Sequence, residues 1–183
     1  MNVIKQVLFI QGGGPGAYEA DKRLAASLQD ALGSGYKVHY PPMPNEGSPD
    51  YGEWSHQIAD TLARLSSGAI VVGHSLGGSF LLKYVSEENP PCPIAGMFLI
   101  APPYWGTEDW EVDEYALRAD FPAKLSTIAN LFFYHSRDDR WVPFTHQSLY
   151  ADKLPHAVIR EFDGRGHQFN DDLSEVAEDI GRL

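Results

Sequence analysis

Residues 69–78 read Ala-Ile-Val-Val-Gly-His-Ser-Leu-Gly-Gly, and this stretch restricts the fold more than any other in the chain. An apolar β-branched run stops at Gly73, a single serine follows at position 75, and glycine returns at position 77. Gly73-x-Ser75-x-Gly77 is the pattern of a strand that turns sharply into a helix with a serine at the apex. Strand and helix press together at both flanks of such a turn, where residues without a Cβ fit. The turn lifts the Ser75 hydroxyl above the strand end and aims the Leu76 N–H into the same space, pairing a nucleophile with a donor for developing negative charge. The five residues also arise by chance in glycine-rich loops. Here a strand-like run precedes them, and 79–85 follows with helical length and an apolar face.

The remainder alternates between the two periods. Strands are predicted at 7–10, 36–40, 94–100, 129–134 and 157–162. Helices are predicted at about 18–32, with Leu24, Ala25, Leu28 and Leu32 on one face, from a cap at Ser48 or Asp50 to about 65, and at 145–153 and 171–182. Gly33 and Gly35 stop the first helix, and 41–49 is a proline- and glycine-rich loop. This order predicts an α/β fold: a three-layer sandwich with a mostly parallel sheet of about six strands. One domain is expected over 1–183, interrupted at about 102–125 by an aperiodic, aromatic-rich, lid-like segment.

At 183 residues the chain buries a good core without disulfides or metals. Fourteen basic against twenty-five acidic residues, a formal net charge of -11, oppose nucleic acid and anionic membrane surfaces. No apolar run is long enough to span a bilayer, and no signal-peptide pattern precedes the first strand. Cys92, the only cysteine, has no internal partner, which points to a reducing cytoplasm. The oligomeric state is open, a monomer being possible.

A serine hydroxyl is a weak nucleophile at neutral pH and needs a base within hydrogen-bond reach. Of seven histidines, His167 lies in the glycine-rich loop 163–169 that leaves the last strand at the sheet edge where Ser75 emerges. His74 is expected to turn into the fold as a structural residue, and His39, His56, His146 and His156 to serve surface or packing roles. His135 ends a strand on the correct side but precedes the acids. The carboxylate that orients the base comes from Asp138-Asp139-Arg-Trp-Val-Pro143, where the spacing Asp-x-x-Val-Pro favours Asp139 and leaves Asp138 as a loop carboxylate or turn cap.

Gly73-His-Ser-Leu-Gly77, Asp139 with Val142-Pro143, and Gly166-His167, in that order, resemble the α/β-hydrolase family over essentially the whole chain. The shortness of the chain makes it similar to the small cap-less branch typified by retinoblastoma-binding protein nine, and the resemblance implies that the first strands of larger members are absent. It implies a serine hydrolase of carboxylic ester or related acyl bonds, with catalytic Ser75, Asp139 and His167 and no cofactor. The second oxyanion donor after Leu76 then comes from the loop after the first strand. There Gln11 replaces the usual histidine, Gly12 or Gly13 can donate, and the motif match favours Gly13.

A small-molecule acyl substrate is expected, in a pocket bordered by Tyr104, Trp105 and Trp110. Glu108, Asp109, Glu111, Asp113 and Glu114 in the same segment favour neutral or cationic substrates over anionic ones. The competing readings are a thioesterase, a cofactor-free haloperoxidase and a non-catalytic protein-binding module on a hydrolase scaffold. Gly12-x-Gly14 loosely fits a dinucleotide loop, yet Tyr40-Pro41-Pro42 stands where a ribose-binding acid belongs. His135, Asp138, Asp139 and His146 lack recognised ligand spacing, so no metal is expected.

Overall fold

The structure, a computed structural model, describes residues 3–65, 68–107 and 109–183. Six strands, β1 Lys5–Ile10, β2 Tyr36–His39, β3 Ala69–His74, β4 Ile94–Ile100, β5 Leu131–Ser136 and β6 Val158–Phe162, form one sheet in the order β2-β1-β3-β4-β5-β6. All five neighbouring pairs are parallel. The helices are α1 Ala17–Leu32, α2 Tyr51–Leu62, α3 Leu76–Glu87, α4 Phe121–Leu125, α5 Thr145–Lys153 and α6 Ser174–Ile180.

Side chains alternate across a strand, so each strand feeds two cores. Val7, Phe9, Ile70, Val72, Phe98 and Ile100 point to one face, where Leu24, Ala25 and Leu28 of α1 and Val176, Ala177 and Ile180 of α6 cover them. Leu8, Ile10, Val71, Met97, Leu99 and Phe133 point to the other, beneath Trp54 and Ile58 of α2, Phe80 and Leu81 of α3, Leu125 of α4 and Tyr150 of α5. This is the expected three-layer α/β sandwich. Parallel strands covered on both faces explain the near-continuous apolar runs at 69–72 and 97–100.

The helix after Ser75 begins at Leu76, as expected, and its first turn carries Gly77 and Gly78, which pack against the ends of β1 and β3. Two boundaries differ from the sequence reading in ways that shape the site. β5 runs to Ser136, pairing His135 and Ser136 with Glu161 and Phe162, which carries the following acids to the sheet edge. The last helix starts at Ser174, since Phe169, Asn170 and Asp171 all have positive φ and make a tight turn that buries Phe169. Among the described residues no helix is long and apolar enough to cross a membrane.

The direction of strand addition reverses between β1 and β3. A crevice opens outside the carboxyl ends of parallel strands at such a point. Residues 11–16 leave β1 and Ser75 leaves β3 on the two sides of it.

Candidate active site

Ser75 sits at the apex with φ 51° and ψ −125°, a conformation that side-chain-bearing residues rarely adopt. Its N–H donates to Ile100 O at 2.8 Å, locking the apex to β4. The flanking glycines are required by backbone contacts. A Cβ on Gly73 would lie 2.6 Å from the Gly78 Cα, and one on Gly77 would lie 2.6 Å from Ile10 O and closer still to Gln11 O. The main chain of β1 therefore passes directly against the first turn of α3.

That passage brings the loop after β1 beside the serine. A Cβ on Gly12 would lie 3.3 Å from the Ser75 Cβ, and one on Gly13 would lie 2.5 Å from the Leu76 Cδ2. The Gly12 N–H donates to Asp21 Oδ2 at 2.7 Å and that of Gly14 to Glu46 O at 2.6 Å. The N–H groups of Gly13 and Leu76 have no hydrogen-bond partner among the described residues, and both residues line the crevice. Between the two glycines left open by the sequence, Gly12 is already engaged. Gln11 turns away, donating to Glu46 at 2.7 Å and accepting from Met43 N at 3.0 Å. The same Glu46 carboxylate accepts the Gly16 and Tyr18 N–H groups at the start of α1, so a protein carboxylate fills the place where a nucleotide phosphate would sit.

On the far side of the crevice the turn after β5 separates the two acids. Asp139 Oδ1 accepts the N–H groups of Trp141 and Val142 at 2.8 and 3.0 Å, which gives the Asp-x-x-Val spacing its physical meaning as a side-chain-closed turn. Its Oδ2 accepts His167 Nδ1 at 2.7 Å and His135 Nε2 at 3.1 Å, with the carboxylate fully buried. Burial opposes ionisation of Asp139, but the hydrogen bonds from His135 and His167 outweigh it and hold the carboxyl well below the usual range. Asp138 takes the capping role, accepting from Ser136 Oγ and from Gly166 N at 3.1 Å, and so shapes the loop that carries His167.

With Nδ1 donating to Asp139, His167 leaves Nε2 free of protein partners among the described residues, and it lines the same crevice as Ser75. Desolvation pushes the His167 pKa below its ordinary value, and the nearby His74 adds to this against the opposing pull of Asp139. The imidazole is therefore neutral, with a lone pair available, at physiological pH.

The crevice has a volume of about 530 Å³. Trp105 and Trp110 line it, their rings edge to face at 5.1 Å, together with Tyr115 at 5.0 Å from Trp105. Tyr104, expected to border the pocket, is not among the residues that line it and packs, partly buried, against the core. Its N–H donates to His146 Nδ1 at 2.8 Å, and the preceding Pro103 carbonyl accepts from Ser79 and Tyr150. This directs the Tyr104 ring onto Tyr150 and Phe121. Trp141, 77% exposed, adds a lip on the opposite rim.

Glu108 lies outside the described residues; Asp109, Glu111, Asp113 and Glu114 do not line the crevice, and Glu114 accepts the Tyr51 N–H. Among the described lining residues there is no Lys or Arg, and the one carboxylate, Asp21, is paired with His74. The described walls of the crevice are therefore uncharged apart from the Asp21–His74 pair, and none of the described acids of the 102–125 segment reaches them. His135, Asp138, Asp139 and His146 do not converge on a common point: His146 is occupied by Tyr104 and Asp138 by the His167 loop.

Two partners escaped the sequence reading. His135, fully buried, shares Asp139 with His167, and its position four residues before the acid at a strand end was the available signal. Asp21, on α1, pairs with His74 at 2.8 Å, and no local pattern announces it.

A sequence model of the family described as serine hydrolase matches residues 22–172. A probable cytosol aminopeptidase of Desulfotalea psychrophila is 31% identical over 103 residues, 55% of this chain and 19% of that protein, so the chain spans about a fifth of the length of that curated relative. The crystal structure of the ydeN gene product of B. subtilis superposes with a TM-score of 0.73 at 21% identity, covering 97% of each chain. The esterase domain of a Rhodothermus marinus protein superposes with a TM-score of 0.72 at 17% identity, covering all of this chain and 86% of that one. At these identities the structural likeness concerns the fold.

Proposed function

Because this chain belongs to the serine hydrolase family, we propose that it cleaves a neutral carboxylic ester or related acyl bond through an acyl-enzyme on Ser75. The observation that carries the reading is the 2.7 Å Asp139–His167 hydrogen bond, which presents a neutral imidazole Nε2 to the crevice that holds Ser75. His167 takes the Ser75 proton as Oγ bonds to the acyl carbon, and the Leu76 and Gly13 N–H groups receive the oxyanion. The C–O bond to the leaving alcohol then breaks, and His167 Nε2 returns the proton to that oxygen. Water repeats the sequence and releases the acid and free Ser75. The segment 102–125 serves as a lid-like wall of the acyl pocket within a single domain, through Trp105 and Trp110. A monomer and a cytoplasmic setting fit this reading, the latter on the lone, half-buried Cys92.

The test is labelling with a fluorophosphonate followed by a panel of esters and thioesters. Labelling at Ser75 and faster turnover of short or aromatic neutral esters than of carboxylate-bearing ones are expected. A folded protein that does not label is a non-catalytic module, and preference for the thioester series makes it a thioesterase.

The pH dependence follows from His167. Its neutral form is the proton acceptor, and a lowered pKa keeps that form populated to more acidic pH. A plot of kcat/KM is expected to rise along a single limb with its midpoint below the ordinary histidine value of about 6.5. A midpoint above 7 contradicts the assignment of His167 as base.

A further inference from the structure

The residue before the nucleophile is more than filler. His74 Nε2 lies 2.9 Å from the main-chain carbonyl of His167, and Nδ1 lies 2.8 Å from Asp21 Oδ2. A carbonyl oxygen only accepts, so Nε2 carries a proton. Asp21 Oδ2 also accepts the Gly12 N–H at 2.7 Å, and Oδ1 accepts Gln168 Nε2 at 2.7 Å. A carboxylate that already accepts these two N–H groups is favoured in its ionised form, so the proton shared with His74 belongs on Nδ1.

We propose that His74, held as an imidazolium between the Asp21 carboxylate and the His167 carbonyl, is a positioning residue that locks the base loop and the oxyanion loop into one arrangement. The proposal rests on the hydrolase reading above.

The connectivity makes the argument. Through His74 the elbow strand holds the backbone of His167 itself. Through Asp21 the same pair holds Gly12, the neighbour of the free Gly13 amide, and Gln168, the neighbour of the base. Three stretches far apart in sequence, 12–21, His74 and 167–168, thus meet at one pair, and its side chains are 3% and 2% exposed. A buried ion pair is a weak stabiliser, because desolvation offsets much of its attraction. What it supplies here is register between the two sides of the site. The groups facing His74 are Asp21 from α1 and His167 and Asp139 from the loops after β6 and β5; the His167 ring centroid lies 4.8 Å from that of His74. The His74 charge at that distance favours the neutral, proton-accepting state of His167, while Asp21 and Asp139 pull the other way.

The decisive measurement uses the wild-type chain labelled with ¹⁵N. Long-range ¹H–¹⁵N spectra at pH 8 are expected to show both His74 ring nitrogens protonated; a neutral tautomer there overturns the proposal. The second readout is Asp21→Asn, which keeps the shape but removes the charge. Its kcat and its rate of fluorophosphonate labelling are expected to fall together by roughly 10²-fold, with KM changed by less than about two-fold. A lowered melting temperature with unchanged kcat and labelling in the folded fraction means a purely structural pair and overturns it too. If the variant does not fold, the wild-type spectra decide. Wild type that fails to label removes the hydrolase reading beneath the proposal, whereas labelling with a neutral His74 removes this proposal alone.

Discussion

Ser75→Ala is expected to lower kcat/KM for a neutral ester by roughly 10⁴- to 10⁶-fold and to abolish fluorophosphonate labelling. Only the Oγ is removed. The Cβ stays, and the apex is held through the Ser75 N–H to Ile100 O, which alanine retains, so the melting temperature should match wild type within about 2 °C. Residual rate above the uncatalysed reaction would come from the free Leu76 and Gly13 N–H groups, which bind developing charge without a nucleophile. Retained turnover in a folded Ser75→Ala protein would sink the mechanism. The acids separate in the same assay. Asp139→Asn is expected to cost about 10⁴-fold, because it removes the carboxylate that orients and stabilises the His167 imidazolium. Asp138→Asn is expected to cost far less, since Asp138 bonds Ser136 Oγ and the loop that carries the base, and not the His167 ring.

Gly77→Ala is expected to be the most destabilising single methyl that can be added to the elbow. In an isolated helix the change favours folding by about 1 kcal/mol. Here the new Cβ would fall 2.6 Å from Ile10 O and nearer still to Gln11 O, both main-chain atoms that no rotamer change can move. Relief requires β1 and α3 to part, in a core where strand and helix are already packed at contact distance. A loss of about 3 kcal/mol is expected, a fall in melting temperature of roughly 6–12 °C for a chain of this size. Activity should fall as well, since parting β1 from α3 moves Gly13 away from Leu76. Gly35→Ala is the control: nothing lies within 4 Å of its Cβ position and its φ is not positive, so its melting temperature should hold or rise slightly. A Gly77→Ala protein that melts within about 2 °C of wild type would contradict the close approach of β1 to the elbow.

The elbow, the strand and helix alternation and the Asp-x-x-Val turn were all legible because each is a local matter. Steric exclusion at Gly73 and Gly77 acts between residues a few positions apart or on a strand that the apolar pattern already marks. The Asp139 turn closes on N–H groups two and three residues away. Boundaries were less legible where tertiary contacts override periodicity. The positive-φ run at 169–171 delays the last helix so that Phe169 can enter the core, and nothing in the acidic, helix-like composition of 171–182 signals it.

By itself the sequence determined the chemistry on offer: a serine on a strained turn, an acid two strands later, a histidine after the last strand, and a parallel sheet whose carboxyl edge gathers them. These follow from near-neighbour sterics and from the order of apolar runs. Only the tertiary structure decided which glycine N–H is left free, that Tyr104 packs against the core while Tyr115 and Trp141 join the crevice, that His135 shares the buried acid, and that Asp21 pairs with His74 from 53 residues away. Each of these depends on side chains meeting across segments distant in the chain. Such a meeting is set by how the layers pack, and no local pattern encodes it.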